Sequence, residues 1–377
     1  MRHIISLATT DPREGGARLG AKFLHTADLH LSRPFGFLPP QLAEERRRDQ
    51  RRALTRIADL AIERKVDLVL IAGDLFDSPD PDPTDLEAVT KELMRLGESG
   101  KRTFAIPGNH DYVAQAGFWQ RLSIEGLHVF LEPEWQSVVL EDLGISIYGT
   151  AFDRMKSERR AFEGLEMADV PCIVLAHASY EAFEGQIERY HPFSASEIPQ
   201  AAYVALGHYH RFNPIGKACY PGTPEGISFD APETEDRFVV VGEIGEEASF
   251  EPVKVNARIM RSGEIDCTSF DSQASLLDAV RKLCERNALV QVKFTGSPNS
   301  EVAGVLDGLS DRFKESCLYM ATGLTSLSLP VDLPAGDRTI RGRFCKYMLQ
   351  QIQDADPERQ KLLRRALELG LTEFSGG

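Results

Sequence analysis

Residues 66–77, VDLVLIAGDLFD, decide how this chain folds. The run from Val66 to Ala72 is almost entirely apolar and ends at a Gly-Asp pair. Such a run is typical of a strand that is buried on both faces of its sheet. The aspartate that follows, Asp74, would then stand at the carboxyl end of the strand, where open α/β sheets bind their ligands. The stretch therefore predicts a core strand followed directly by a functional carboxylate.

The same pattern recurs on both sides of this stretch. Apolar runs that predict strands end where a polar motif begins, at Asp28-Leu-His30, Gly108-Asn-His-Asp111, His177 and Gly207-His-Tyr-His210. Helical spacing between the runs, as from Leu42 to Lys65, gives an alternation of strands and helices. This alternation predicts an α/β layered domain with the polar motifs gathered at one edge.

Prolines and helix-capping residues indicate where loops and helices begin. The segment Ser78-Pro-Asp-Pro-Asp-Pro83 predicts a loop, because proline fits neither a helix interior nor an inner strand. Thr84-x-x-Glu87 then predicts a capping box that opens the next helix. We expect a flexible N-terminal extension at 1–21, a catalytic domain at 22–255, a small β-α-β-α domain at 256–332 and a helical tail at 333–377.

Composition excludes several classes of protein. A length of 377 residues favours two or three domains, and a net charge of −14 argues against a protein that coats nucleic acid by bulk attraction. The apolar runs are too short to span a bilayer, and the N-terminus lacks a signal-peptide pattern. The six cysteines form no CxxC pair, which is typical of a reducing compartment. We expect a soluble cytoplasmic protein without a membrane partner.

The polar motifs supply the ligands of a two-metal centre. Asp28 and His30 are two residues apart, so at an extended strand end both can bind one ion. Asp74 can bridge two ions through its two oxygens. The remaining predicted ligands offer a carboxamide oxygen or an imidazole nitrogen, with His210 turning to the first ion: Asn109, His177, His208 and His210. Nitrogen and oxygen ligands without thiolate suit manganese, iron or zinc in an open catalytic site.

Three further side chains of the motifs are given supporting roles. We expect His110, which is not needed as a ligand, to be catalytic, either protonating the leaving oxygen or stabilising the charge on phosphorus. Asp111 either orients His110 or fixes the local turn. Asp77 is predicted to hold a ligating imidazole, because such rings need a partner for their other N–H. His25 is predicted to be a hydrogen-bonded strand histidine below the site.

Longer strings around these motifs carry a resemblance to a known family. They are FLHTADLHL (23–31), AGDLFD (72–77), IPGNHD (106–111), LGHYH (206–210) and YPGTPE (220–225). The set resembles the calcineurin-like metallophosphoesterase superfamily, in its DNA-repair exonuclease branch of SbcD and YhaO-like nucleases. Ser32, which stands where many relatives have glycine, and the loop that follows it are expected to shape the substrate mouth differently.

The resemblance implies more than the residues alone. It implies a four-layer α/β/β/α sandwich with a small α+β capping domain and a C-terminal helical tail. The implied cofactor is a pair of Mn²⁺ ions, and the implied activity is a 3′-to-5′ exonuclease with single-strand endonuclease activity on DNA in repair. The implied partner is an SMC-like ABC ATPase of the SbcC type, bound through the tail, and the resemblance allows a homodimer.

Alternatives remain open at the level of sequence. A small-molecule phosphodiesterase or a protein phosphatase could use the same dimetal core, and a non-catalytic scaffold is disfavoured because no ligand is missing. The apolar face of the tail, which carries Ile340, Phe344, Met348 and Ile352, either packs on its own domain or binds the ATPase. The arginine-rich start of the helix at 42–65 is either a solvated face or a contact for phosphates.

Overall fold

The computed structural model describes most of the chain. The described residues are 4–6, 20–114, 117–168, 170–183, 190–230, 234, 236–245, 248–306, 308–327, 339–353, 355, 359–360, 362–363, 366–367 and 370. The chain divides into two compact units, Met1–Met260 and Arg261–Gly377. No helix of the described residues has both the length and the apolar character that a membrane crossing requires.

The strands follow one another in chain order as β1 (Ile4–Ser6), β2 (Ala21–Thr26), β3 (Leu68–Ala72), β4 (Arg102–Ile106), β5 (Leu127–Val129), β6 (Gln136–Leu140), β7 (Ile145–Gly149), β8 (Cys172–His177), β9 (Ser179–Tyr180), β10 (Pro192–Phe193), β11 (Tyr203–Gly207), β12 (Asn213–Ile215), β13 (Ala218–Tyr220), β14 (Phe238–Ile244), β15 (Ala248–Lys254), β16 (Met260–Asp266), β17 (Leu289–Gly296) and β18 (Tyr319–Leu327). The helices are α1 (Pro40–Glu63), α2 (Pro83–Glu98), α3 (Phe118–Arg121), α4 (Gln273–Leu283), α5 (Ser300–Leu306), α6 (Leu309–Phe313) and α7 (Ile340–Gln353).

Two large mixed sheets build the first unit. One has six strands in the order β15-β14-β2-β3-β4-β5, with β2 to β5 parallel. The other has seven strands in the order β1-β6-β7-β8-β11-β13-β12, with β7, β8 and β11 parallel. Parallel strands that run side by side bring their carboxyl ends to a common edge of each sheet. This arrangement places the chain's polar motifs together.

Strand β3 shows why the opening stretch is so apolar. Leu68 and Leu70 belong to the cluster that packs the two sheets face to face, while Val69 and Ile71 belong to the cluster beneath α1 and α2. Because side chains alternate along a strand, a strand buried on both faces must be apolar at every position. The predicted α/β sandwich with a doubly buried β3 is confirmed.

The outer layers of the sandwich differ from each other. Helices α1 and α2 cover the six-stranded sheet through residues such as Ile57 and Leu93. On the seven-stranded sheet, Phe193, Ala201 and Tyr220 lie in a separate apolar cluster. In the described part of the chain the residues of this second cluster come from strands and loops.

Two local expectations do not hold. The N-cap of α2 is Asp82, whose side chain accepts a hydrogen bond from Thr84 N–H, so the predicted capping box at Thr84 is wrong. The reason is Pro83, which fits the first helical position and leaves the residue before it as the cap. The flexible extension was expected to include Ile4–Ser6, but these residues pair in parallel with Ser137–Val139 of β6.

The second unit contains a three-stranded sheet, β16-β17-β18, with β17 and β18 parallel. The expected strand-helix-strand-helix order is present, and α6 and β18 extend it. In the tail, Met348 and Ile352 of α7 pack on Leu367, whereas Ile340 is exposed. The tail's apolar face is therefore partly covered by the tail itself. Four further residues of the helical tail lie outside the described residues: Arg338, Arg364, Arg365 and Leu369.

Candidate metal centre

The predicted ligands come together at the carboxyl ends of five strands from the two sheets. They are Asp28 and His30 after β2, Asp74 after β3, Asn109 after β4, His177 at the end of β8, and His208 and His210 after β11. As many as 180 residues of chain separate side chains that are in contact here. The face-to-face packing of the two sheets, with their strand ends at a common edge, therefore assembles the cluster.

One part of the cluster consists of Asp28, His30 and His210. One possible ligand atom from each residue lies within 4.8 Å of the others. The Nε2 atoms of His30 and His210 face each other at 3.2 Å, and His30 is fully buried. A carboxylate and two imidazoles at this spacing match the first predicted ion site.

A second part consists of Asp28, Asp74 and His177, which also offer ligand atoms within 4.8 Å of one another. Asn109 Oδ1 lies 2.9 Å from His177 Nε2 and 3.1 Å from His208 Nδ1. These side chains are buried or nearly so. The carboxamide oxygen and the two imidazoles thus converge on the point predicted for the second ion.

Asp74 joins the two parts. Its Oδ2 atom lies 3.6 Å from His30 Nε2 and 3.3 Å from His177 Nε2. This oxygen is buried and accepts no hydrogen bond from the described residues, while Oδ1 accepts one from His110 N–H at 2.8 Å. A buried carboxylate oxygen without a hydrogen bond is costly unless a cation binds it. The residues present therefore fit a pair of divalent cations that share Asp74.

The backbone is shaped to turn these side chains inward. Asp28, His30, Asp74 and His208 all have positive φ, between 46° and 102°. This left-handed conformation is uncommon for residues other than glycine and costs energy at each position. Four such residues in one cluster indicate that the surrounding structure holds the site in place.

Glycine is required beside two of the ligands for reasons of space. A Cβ atom on Gly108 would overlap the Asp74 carboxylate, and one on Gly207 would overlap the carbonyl oxygen of Ala72 and approach the His177 ring. The Gly-Asn-His and Gly-His motifs therefore reflect the close approach of neighbouring strand ends.

Hydrogen bonds at the far nitrogens orient two imidazoles. His177 Nδ1 lies 3.0 Å from the Ala72 carbonyl oxygen, and His30 Nδ1 lies 3.0 Å from Asp77 Oδ1. Because these oxygens accept hydrogen bonds, each Nδ1 carries the hydrogen and each Nε2 presents its lone pair to the centre. Asp77 is thus positioned for the orienting role that the sequence predicts.

Burial and neighbouring charges shift the pKa values of several predicted ligands. Burial alone would lower the pKa of His177, but the Asp74 and Asp28 carboxylates outweigh it and raise that pKa to about 9. Burial would raise the pKa of Asp74, but the His177 imidazole holds it well below its usual range. Burial also holds the pKa of His208 well below its usual range. Ionised Asp74 and neutral His208 are in the forms that bind metal, whereas His177 must release its proton when an ion binds.

The two remaining motif residues have different surroundings. His110 is half-buried; its Nδ1 lies 3.3 Å from the Asp77 carbonyl oxygen, and one of its ring nitrogens lies near ligand atoms of His30 and Asp74. Asp111 is fully buried and accepts hydrogen bonds from the backbone N–H groups of Leu75 and Gly108. Of its two predicted roles, the contacts of Asp111 match fixing the turns.

Sequence reasoning did not predict the contacts that two arginines make near the centre. Arg33 Nη1 donates to Asp77 Oδ1 at 2.9 Å, and Arg237 Nη1 donates to the His210 carbonyl oxygen at 2.5 Å. Arg237 is nearly fully buried although it lies in a stretch that shows no motif. These contacts join distant segments, so no local pattern could have revealed them.

His25 is buried and its Nδ1 lies 2.9 Å from the Tyr203 hydroxyl, which agrees with its prediction as a hydrogen-bonded strand histidine below the site.

Comparison with known proteins agrees with this geometry. The family profile described as calcineurin-like phosphoesterase matches residues 21–212, which include every predicted ligand. The uncharacterized metallophosphoesterase YhaO of Bacillus subtilis is 27% identical over 316 residues, covering 78% of this chain and 76% of that protein.

Two further relatives have names that refer to DNA repair or nuclease activity. The DNA double-strand break repair protein Mre11 of Aeropyrum pernix is 30% identical over 268 residues, or 65% of this chain and 63% of that protein. The SbcD component of the nuclease SbcCD of Bacillus subtilis is 26% identical over 280 residues, or 63% of this chain and 70% of that protein. The chain thus spans between about three fifths and three quarters of these relatives.

Proposed function

The chain belongs to the calcineurin-like phosphoesterase family, and from that premise we propose that it is a two-metal-dependent DNA nuclease. In this proposal it hydrolyses phosphodiester bonds as a 3′-to-5′ exonuclease and single-strand endonuclease in DNA repair. The observation that carries the proposal is the position of Asp74, whose unbonded Oδ2 lies between His30 and His177. A shared carboxylate is what a two-metal phosphoesterase requires.

Seven side chains hold the ions in this proposal. Asp28, His30, Asp74 and His210 form one site, and Asp74, Asn109, His177 and His208 form the other. The donor set of imidazole nitrogens with carboxylate and carboxamide oxygens suits manganese, which we propose as the metal. When bound, two such ions neutralise the charge of a phosphodiester and supply an activated water.

The protein's own groups perform the remaining steps. His110 stands beside the centre with a half-buried ring, so a substrate can reach it. In the imidazolium form, Nδ1–H donates to the Asp77 carbonyl oxygen and Nε2–H can be transferred to the leaving oxygen, which leaves a neutral ring. We assign to His110 the protonation of that oxygen, which is general acid catalysis. Asp77 accepts a hydrogen bond from His30 Nδ1–H and so holds the orientation of the His30 ring in the centre.

DNA is the proposed substrate because of the relatives' names. One relative is named as a double-strand break repair protein and another as part of a nuclease. The name of the SbcD relative also says that it is one subunit of the nuclease SbcCD. On that ground, and from the family resemblance, we propose an SMC-like ABC ATPase of the SbcC type as the partner of this chain.

The test compares two phosphodiesters. The full chain is incubated with Mn²⁺ and either a linear DNA duplex labelled at one 3′ end or bis-p-nitrophenyl phosphate. We expect hydrolysis of both, with nucleotides released stepwise from the 3′ end. A His208→Ala variant, purified in the same way, controls for contaminating nucleases and should be inactive on both substrates.

The outcomes separate the candidate functions. Hydrolysis of the small ester without any cleavage of DNA would overturn the nuclease proposal in favour of a small-molecule phosphodiesterase or a phosphatase. Inactivity on both substrates with metal bound would contradict the catalytic assignment altogether.

A further inference from the structure

An exposed aromatic ring stands on the loop between His30 and α1. Phe37 exposes 43% of its surface, although most phenylalanines of the described residues are buried. A single exposed apolar side chain is common on a protein surface, so the case for a ligand depends on how the Phe37 ring is held and where its loop lies. The neighbouring rings supply the first part of the answer.

Other aromatic rings hold Phe37 in a fixed orientation. Its ring packs edge-to-face on Phe229 at a centroid distance of 5.5 Å and on Phe35 at 6.2 Å. Phe35 is buried and lies beneath the fully buried Arg46, whose guanidinium carbon is 5.9 Å from the ring centroid. Edge-to-face packing leaves the exposed part of the Phe37 ring free while it restricts rotation. A ring held in this way loses little further freedom when a planar group stacks on it.

The loops that meet at this aromatic pair begin at the metal centre. Arg33 N–H donates to the His30 carbonyl oxygen, and Thr223 N–H donates to the His210 carbonyl oxygen. His30 and His210 are in contact through their Nε2 atoms. Phe37 thus follows the predicted ligand His30 by seven residues, and it contacts Phe229 in the segment that follows the predicted ligand His210.

The backbone of this loop is strained where it places Phe35 in the core and Phe37 on the surface. Ser32 has φ of 70° and Phe35 has φ of 48°. Positive φ is a genuine outlier for a bulky aromatic residue. Such strain persists only where packing determines it, and it clusters at ligand-binding positions. Leu38 N–H closes the turn by donating to the Phe35 carbonyl oxygen at 2.9 Å.

We propose that Phe37 is a specificity-determining residue that stacks on one unpaired nucleobase next to the scissile phosphate. The inference rests on the proposed nuclease function. Stacking on an aromatic ring accepts every base, because each base has a π-face. Arg33, on the same loop and partly exposed, adds a cation that suits the phosphates of the strand. Stacking hides the face of a base inside a duplex, so Phe37 contacts a base that is unpaired at the end of the strand.

The experiment is a double-mutant cycle between Phe37 and the base. A short single-stranded oligonucleotide is prepared with one abasic position at a time, and kcat/KM is measured with the full chain and Mn²⁺. For the wild type we expect one abasic position to lower kcat/KM about tenfold or more. In Phe37→Ala the activity on the intact strand should fall by a similar factor, and the abasic position should cost nothing further.

Matched variants separate stacking from a structural effect. Phe37→Trp should restore the sensitivity to the abasic position, whereas Phe37→Leu, which keeps an apolar side chain without a ring, should not. Met94→Ala removes an equally exposed apolar side chain on α2 and should behave as the wild type. In Phe37→Ala the loss on the oligonucleotide should exceed the loss on bis-p-nitrophenyl phosphate about tenfold.

The result that overturns the inference is an abasic penalty of equal size in the wild type and in Phe37→Ala, or the absence of any sensitive position. If the wild type hydrolyses bis-p-nitrophenyl phosphate but no oligonucleotide, the nuclease proposal fails and this inference with it. If the oligonucleotide is cleaved but no abasic position lowers kcat/KM, the inference about Phe37 fails and the nuclease proposal stands.

Discussion

The Nε2 atoms of His30 and His210 lie 3.2 Å apart, although 180 residues of chain separate the two histidines. Two lone pairs would repel each other at this distance, so either one ring donates an N–H to the other or both nitrogens bind one cation. The second arrangement agrees with the Asp28 carboxylate, which lies beside both rings. The contact therefore fits one side of a metal site.

His110 tests the division between ligands and catalytic groups. In His110→Ala we expect kcat to fall about 10²- to 10⁴-fold, because a general acid is lost. The metal content, measured by plasma mass spectrometry after dialysis, should stay near two ions per chain. Loss of an ion would instead make His110 a ligand, a role that its position near His30 and Asp74 also allows.

Gly207 tests whether the close approach of strand ends shapes the centre. A side-chain methyl group in Gly207→Ala would meet the Ala72 carbonyl oxygen and the His177 ring, so we expect weaker metal binding and lower stability. The control is Gly304→Ala in α5, where an added Cβ contacts nothing within 4 Å. That variant should be neutral or more stable by about 0.4–1 kcal/mol. Equal metal affinity in both variants would show that the site tolerates the displacement.

His25 predicts a dependence of stability on pH. Burial lowers its pKa from 6.5 to about 3, so as the pH falls below 6.5 the unfolded state binds a proton before the folded state does. His25 therefore contributes a loss of stability as the pH falls across this window, about 2 kcal/mol at pH 5. Urea unfolding at pH 7 and pH 5 measures the loss, and His25→Gln should reduce it by that amount. An unchanged difference would mean that His25 does not titrate in this way.

We predict that removing the helical tail weakens binding of the ATPase partner but leaves phosphodiester hydrolysis intact. Its described apolar residues, Met348, Ile352 and Leu367, pack on one another, so ending the chain after Asp337 removes this cluster whole. We expect hydrolysis of bis-p-nitrophenyl phosphate to continue and capture of an SbcC-type ATPase to weaken. Tyr347→Asp, which changes an exposed residue of α7, should weaken capture without removing the tail. Capture at the wild-type level in both variants would exclude the tail as the binding segment.

Parts of the molecule could be predicted from the sequence because their signals are local. The apolar run at β3 required a strand buried on both faces, and each predicted ligand directly followed or ended such a run. The cap at Asp82 could not be distinguished from one at Thr84, because several Asp-Pro steps precede the helix. The edge strand Ile4–Ser6 depends on its partner β6, which lies more than a hundred residues away.

The supporting groups of the site were invisible for a related reason. Arg237 reaches the His210 carbonyl oxygen, and Arg33 reaches the Asp77 carboxylate, only after the sheets have formed. Neither arginine has a motif of its own. Ligands were predictable because metal chemistry restricts them to a few residue types, whereas a backbone carbonyl can be held by any donor that the fold brings near.

The most direct measurement is the metal content of Asp74→Ala, determined by plasma mass spectrometry on folded, dialysed protein. Two divalent ions per chain in the wild type and none in Asp74→Ala would agree with a carboxylate that both ions share. Asp77→Ala is the matched control; it should keep its ions with affinity lowered about 10- to 100-fold, since Asp77 orients a ligand without being one. An Asp74→Ala protein that still holds one ion at wild-type affinity would contradict the shared centre.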